Sequence, residues 1–158
     1  MLTTASMGRP HQGPSPIRLA QAAVELAERI PLSLVQLPAR MAIAAVFWNS
    51  AQSKLASWPI TLQLFKMEYR VPILPPDIAA PLATATELTC AILIFFGLFT
   101  RLSALALLGL VAVIQIFVYP GHWVEHLLWA SLLLLLLARG AGVVSLDYLI
   151  KRFFVQSM

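Results

Sequence analysis

Two apolar runs, Ile78 to Phe99 and Leu102 to Tyr119, meet at Thr100-Arg101, and Glu87 is the only charged side chain inside either. A hydrocarbon core about 30 Å thick takes roughly 20 residues of helix, so each run predicts a membrane span and the junction a hairpin turn. Leu32 to Ala51 is a third such run, with Pro38 in its early turns and Arg40 as its one charge; His122 to Ala138 is a fourth, after the Pro120-Gly121 turn. Backbone in lipid must satisfy its own hydrogen bonds, so apolar runs of this length are helices. The pattern predicts an all-α membrane protein: an antiparallel bundle of four transmembrane helices, with spans at about 32–51, 78–99, 102–119 and 122–138.

Periodicity changes at both ends. Arg18, Gln21, Glu25 and Glu28 fall on one helical face and Leu19, Ala23, Leu26 and Ile30 on the other, after a Ser15-Pro16 start and before Pro31. This predicts an amphipathic helix on the membrane surface. A soluble extension packed on another subunit would show the same stripe. A second amphipathic helix follows Arg139-Gly140-Ala141-Gly142, with Ser145 as N-cap, Leu146, Leu149 and Phe153 on one face and Lys151-Arg152 near its end. Residues 1–14 are polar, contain no apolar run of the signal-peptide kind and read as a disordered tail, leaving 15–158 as a single domain. Between the first two spans, Gln52 to Asp77 predicts a short helix opening at Trp58-Pro59, with Ile60, Leu64 and Met67 on a face shared with Val71. Pro72, Pro75 and Pro76 then force an extended approach. Trp58 and Tyr69 suit the headgroup level, so this segment is expected to lie over the bundle as a lid.

Composition supports the membrane class: of 158 residues, 59% are hydrophobic and 11% charged, and mean hydropathy is +0.82. The net charge of +4 sits at segment ends, where it orients the chain, and no basic cluster is interleaved with aromatics as nucleic-acid binding would need. Arg9, Arg18, Arg29, Arg101, Arg139, Lys151 and Arg152 fall on one side, against Lys54, Lys66 and Arg70 on the other. The positive-inside rule then predicts both termini in the cytoplasm, with the 52–77 segment facing the exterior or periplasm. A single cysteine, Cys90, excludes a self-contained thiol-disulfide relay.

An ionised carboxylate at mid-depth must find a cation, take up a proton or line a wet cavity. Counting about 1.5 Å per residue puts Arg40 roughly 12 Å from one side and Glu87 roughly 13 Å from the other, so the two are expected to form a buried ion pair. Arg40 snorkelling to its own interface is the alternative. By depth, Trp48, Asn49, Lys54, Glu87, Gln115, Tyr119, His126 and Trp129 gather in the half away from the termini, with Glu125 near them. They predict a polar cavity suited to a small aromatic, quinone-like headgroup, with no intrinsic cofactor; interhelical hydrogen bonds that merely hold the bundle together are the bland alternative. His122-Trp123-Val124-Glu125-His126 matches the H-x-x-E-H zinc pattern, but a catalytic zinc needs a third protein ligand and no metal is expected.

Arg40 in the first span, Ser53-Lys54 at its end, Glu87 followed by Gly97-Leu98-Phe99-Thr100-Arg101, and Arg139-Gly140-Ala141-Gly142 with Ser145-Leu146-Asp147 resemble the DoxX family of small four-helix membrane proteins. Leu64-Phe65-Lys66-Met67-Glu68-Tyr69-Arg70-Val71-Pro72 and the stretch from Tyr119-Pro120 to His126 and Trp129 are similar to one bacterial branch of it. The likeness covers roughly residues 35 to 150, with Ala51 where the family often has Gly and Ala141 where it often has Pro. It implies the four-helix fold and a link to membrane redox complexes, the family being named for a small subunit of a thiosulfate:quinone oxidoreductase. On that footing the chain is expected to be a quinone-linked subunit, with a redox protein or a second copy as partner. A non-enzymatic scaffold or assembly factor, or a small transporter in which Glu87 titrates, are the alternatives.

Overall fold

The structure is a computed structural model, and it describes residues 16–69, 71 and 74–155, with side chains as far as Phe153. The expectations for residues 1–14, for Ser15 as an N-cap, and for Arg70 and Pro72 lie outside the described residues. The described residues are all-helical, in two compact units that divide between Pro31 and Leu32. The first holds helix α1, Pro16–Glu28, none of whose side chains is buried. Its apolar positions, Ile17, Leu19, Val24 and Leu26, are all exposed.

The second unit is built on α2 (Leu32–Ala56), α4 (Pro76–Phe96), α5 (Thr100–Val113) and α6 (Trp123–Arg139). A short helix α3 (Trp58–Leu64) precedes α4, and α7 (Leu146–Val155) follows α6. α2 packs on α4 and α6, and α5 packs on the same two, giving a four-membered ring of helices. Pro76–Phe96, Thr100–Val118 and Pro120–Arg139 are each long and apolar enough to cross a membrane; α2 joins them only when counted together with α1. The molecule is therefore a multi-pass membrane protein with three or four spans by length and composition.

Heptad-like spacing explains the ring. α2 buries Gln36, Ala39, Arg40, Ile43, Ala44, Phe47 and Ala51, and α4 buries Ala80, Thr84, Glu87, Ala91 and Ile94 among others. Steps of three and four keep one stripe facing the neighbour, and the alanines let backbones approach closely. Ile43, Phe47, Ile94, Leu107, Leu133 and Leu136 fill the shared core.

Turns fall where local chemistry demands them. Gly97, at φ +67°, ends α4 as Leu98 N–H donates to Leu93 O at 2.8 Å and Gly97 N–H to Ile94 O at 3.1 Å, a Schellman closure. That stops α4 at Phe96, short of the expected Phe99. Pro59 opens α3 in its first turn. Ser145 caps α7 as expected, its Oγ accepting from Tyr148 N–H at 3.2 Å. Two turns are wound more loosely than an α-helix, Phe65–Tyr69 after α3 and Ile114–Val118 after α5, and these π-type segments touch one another. Such turns commonly mark functional sites.

Candidate ligand cavity between the helices

Arg40 and Glu87 are both buried, at 2% exposure, yet they do not pair. The Arg40 guanidinium donates from Nε to Ile94 O at 3.0 Å, from Nη2 to Phe95 O at 2.7 Å, and from Nη1 to Ala141 O at 3.1 Å and to Val144 O. Ile94 and Phe95 close the last turn of α4, whose carbonyls lack i+4 donors within the helix, so a cation there meets under-satisfied acceptors, Ile94 O also taking the Gly97 N–H of the turn, and the negative end of the helix dipole. Gln36 completes the knot, donating to Arg139 O and Gly140 O at 3.1 and 3.0 Å. Asp147 accepts from Phe99 N–H at 2.9 Å and Thr100 N–H at 3.1 Å, capping α5 from α7. A Cβ on Gly97 would lie 2.6 Å from Ser145 Cβ and 2.7 Å from Arg40 Nη2, so the glycine is required by space as well as by its positive φ.

Glu87 pairs instead with Lys54, whose Nζ lies 2.9 Å from Oε1 and 2.7 Å from Oε2. Ser50, one turn before Lys54, accepts from Nζ at 2.7 Å and donates to Glu87 Oε1 at 3.2 Å. The expected Arg40–Glu87 ion pair is thereby corrected, and side-chain direction gives the reason. Helical side chains lean toward their own N-terminus. On the antiparallel pair α2 and α4, Lys54 and Glu87 lean toward each other, whereas Arg40 leans away from Glu87 to the Gly97 end.

The Lys54–Glu87 pair lies on the wall of a cavity of about 700 Å³ bounded by residues of α2, α4, α5 and α6 and by Phe65, Tyr69, Val71 and Leu74. Phe47, Phe65, Ala83, Leu110, Val113 and Trp129 give it a mainly apolar lining. Gly109 keeps α5 bare at this wall, where an added Cβ would meet nothing within 4 Å. Tyr69, Tyr119 and His122 also line it. Phe65 is buried against Ala79 and Ala80 beside Trp58 and Tyr69, and Thr61 Oγ1 donates to Lys54 O at 2.8 Å, so the segment after α2 folds back over the bundle.

Of the residues expected around such a cavity, Lys54, Glu87, Tyr119, His126 and Trp129 line it. Trp48 and Asn49 do not: both are exposed, turned one and two helical steps from the buried Phe47. Grouping by depth alone included them, whereas the helical face decides. Gln115 stands behind the wall, with Nε2 donating to Pro120 O at 2.9 Å and Oε1 2.6 Å from His126 Nδ1. Ser50, Tyr69 and Gly109 were missed, though Ser50 stands one turn from Lys54 and a glycine in an apolar run signals close approach or open space.

His122 Nδ1 lies 3.7 Å from Glu125 Oε2, and the rings of His122 and His126 are 6.4 Å apart. Among the described residues no group of three or more His, Cys, Asp or Glu is disposed to hold a metal ion. The Tyr119 hydroxyl donates to Glu68 Oε1 at 3.0 Å and lies 3.5 Å from the Tyr69 hydroxyl. Hydrogen bonding with Tyr69, then burial and the bond to Glu68, push it above the usual phenol range.

The fold and cavity define a small helical membrane protein with one enclosed charge pair. The DoxX family model matches residues 35–120, and the chain belongs to that family. It is 30% identical over 119 residues to an uncharacterized protein of Haemophilus influenzae, covering 68% of this chain and 79% of that one. No solved structure matches it.

Proposed function

We propose that the cavity binds a small amphipathic molecule with an aromatic, quinone-type headgroup, and that the protein serves as a quinone-linked subunit of a bacterial inner-membrane redox assembly. The observation that carries this reading is an unfilled space of about 700 Å³ with the buried Glu87 and its partly buried partner Lys54 on its wall. Helices held together for structure alone close-pack, leaving few voids larger than a water. Ligand sites run from about 300 to 1,000 Å³ and are mainly apolar with a few convergent polar groups. Trp129, edge-on to Phe47 at 5.9 Å, offers an aromatic wall, and Glu87 and His126 supply the polar contacts. The implied connection with thiosulfate:quinone oxidoreductase supports the same ligand class.

Lipid extraction and mass spectrometry on protein purified in mild detergent test this. Wild type should retain an isoprenoid quinone in defined stoichiometry, and Gly109→Leu, which fills the cavity from a site with free space, should not. His126→Ala and Glu87→Gln should abolish partner-dependent quinone reduction while the protein stays inserted. Wild type without quinone, or full function in both variants, would leave a scaffold as the better reading. The proposal includes the topology from the charge distribution, with both termini cytoplasmic. A cysteine at Ser57, in a Cys90→Ser background, should react with an impermeant maleimide from outside intact cells.

A further inference from the structure

Gln115 Nε2 lies 2.9 Å from Pro120 O, and a carbonyl oxygen can only accept, so the amide nitrogen must face it. Reversing the amide would set two oxygens against each other at that distance. The amide oxygen therefore faces His126 Nδ1 at 2.6 Å, and since it too can only accept, Nδ1 carries the proton. His126 is 4% exposed, and among the described residues no carboxylate forms a salt bridge with it. An unpaired buried charge is costly, so the ring is neutral and Nε2 holds a lone pair.

Nε2 receives no hydrogen bond from the described residues, although the ring belongs to the cavity wall and packs 5.3 Å from Trp129. The donors beside Glu87 are already committed, Lys54 to Ser50 and both carboxylate oxygens, and Ser50 to Oε1. Beside Glu87, then, Lys54 and Ser50 leave no donor free, while His126 Nε2 is an open acceptor. We infer that His126, held by Gln115 as the Nδ1–H tautomer, presents Nε2 to a hydroxyl donor, so that the cavity prefers a hydroxyl-bearing headgroup, a quinol or other phenol, to one with carbonyl or ether oxygens alone. The inference rests on the cavity reading above and gives Gln115 the part of a positioning residue.

Two measurements on the full chain in lipid nanodiscs test it. Nitrogen-15 NMR of histidine-labelled protein should show His126 neutral with Nδ1 protonated and Nε2 bare, and Gln115→Leu should convert this to a mixture of tautomers. Binding is compared for 4-hexylphenol and its methyl ether 4-hexylanisole, each corrected for uptake by empty nanodiscs. The phenol should bind wild type about tenfold more tightly than the ether, as one net hydrogen bond allows. His126→Asn, which retains an amide for Gln115 but has no atom in the place of Nε2, should bring the two probes to within about twofold. A protonated Nε2 in wild type overturns the inference, as does equal binding of phenol and ether, which leaves the cavity reading standing. If neither probe binds wild type, the cavity reading falls and the inference with it.

Discussion

The two ends of the helix ring spend their buried charges in opposite ways. At the Gly97 end, Arg40 is matched to four carbonyls, Asp147 to two backbone amides and Gln36 to two more carbonyls. The space is so full that Gly97 and Gly142 could not carry a Cβ without overlap, the latter meeting Gln36 Oε1 at 2.7 Å. At the other end the Lys54–Glu87 pair sits beside open volume, two π-type turns replace regular helix, and among the described residues His126 Nε2 lacks a donor. A charge that satisfies backbone groups from two other chain segments is an architectural device. A charge pair held only by Ser50, at the edge of a cavity, lies where the proposed ligand would meet it. Both arise from the same pair of helices, so burial of charge does not by itself reveal its role.

The largest expected effect lies at the filled end. Arg40→Ala removes a donor from four carbonyls in a buried site, Ile94 O keeping only the Gly97 N–H, and should cost about 4 kcal/mol or more in reversible unfolding from detergent micelles. Arg40→Lys should recover only part of this, because an ammonium cannot reproduce the guanidinium fork. Gly97→Ala adds left-handed strain to overlap with Ser145 and should cost about 2 to 3 kcal/mol in the same assay. If either variant is as stable as wild type, the contrast between the ends is lost.

A double-mutant cycle sharpens the contrast further. Lys54→Met and Glu87→Gln should couple by about 1 to 3 kcal/mol, whereas Arg40→Ala and Glu87→Gln should be additive within about 0.5 kcal/mol. The reverse result would restore Arg40 as the partner of Glu87. The smallest effect belongs to the open end. Gly109→Ala meets no neighbour and improves helix propensity, so it should raise stability by up to about 1 kcal/mol while narrowing the cavity. A loss of stability there would mean that the space is filled in the membrane-embedded protein.

What the sequence by itself determined is what depends on short range. Apolar runs gave the helices, Pro59 the start of α3 and Ser145 the cap of α7. These follow from helical periodicity and from the hydrogen-bonding needs of helix ends, which neighbouring residues carry. Lys54, Glu87, Tyr119, His126 and Trp129 could be named as cavity residues because polar groups at membrane depth must turn inward. Only the tertiary structure decided who meets whom. Arg40 and Lys54 both stand seven residues from the level of Glu87 once α2 and α4 are aligned through the Arg40–Ile94 contact, so depth cannot choose between them. The choice comes from the opposed lean of side chains on antiparallel helices and from the carbonyls of Phe95, Ala141 and Val144, which occupy Arg40 first. Trp48 and Asn49 fell outside the site for the complementary reason: they share its depth, but rotation about the α2 axis carries them to the opposite surface.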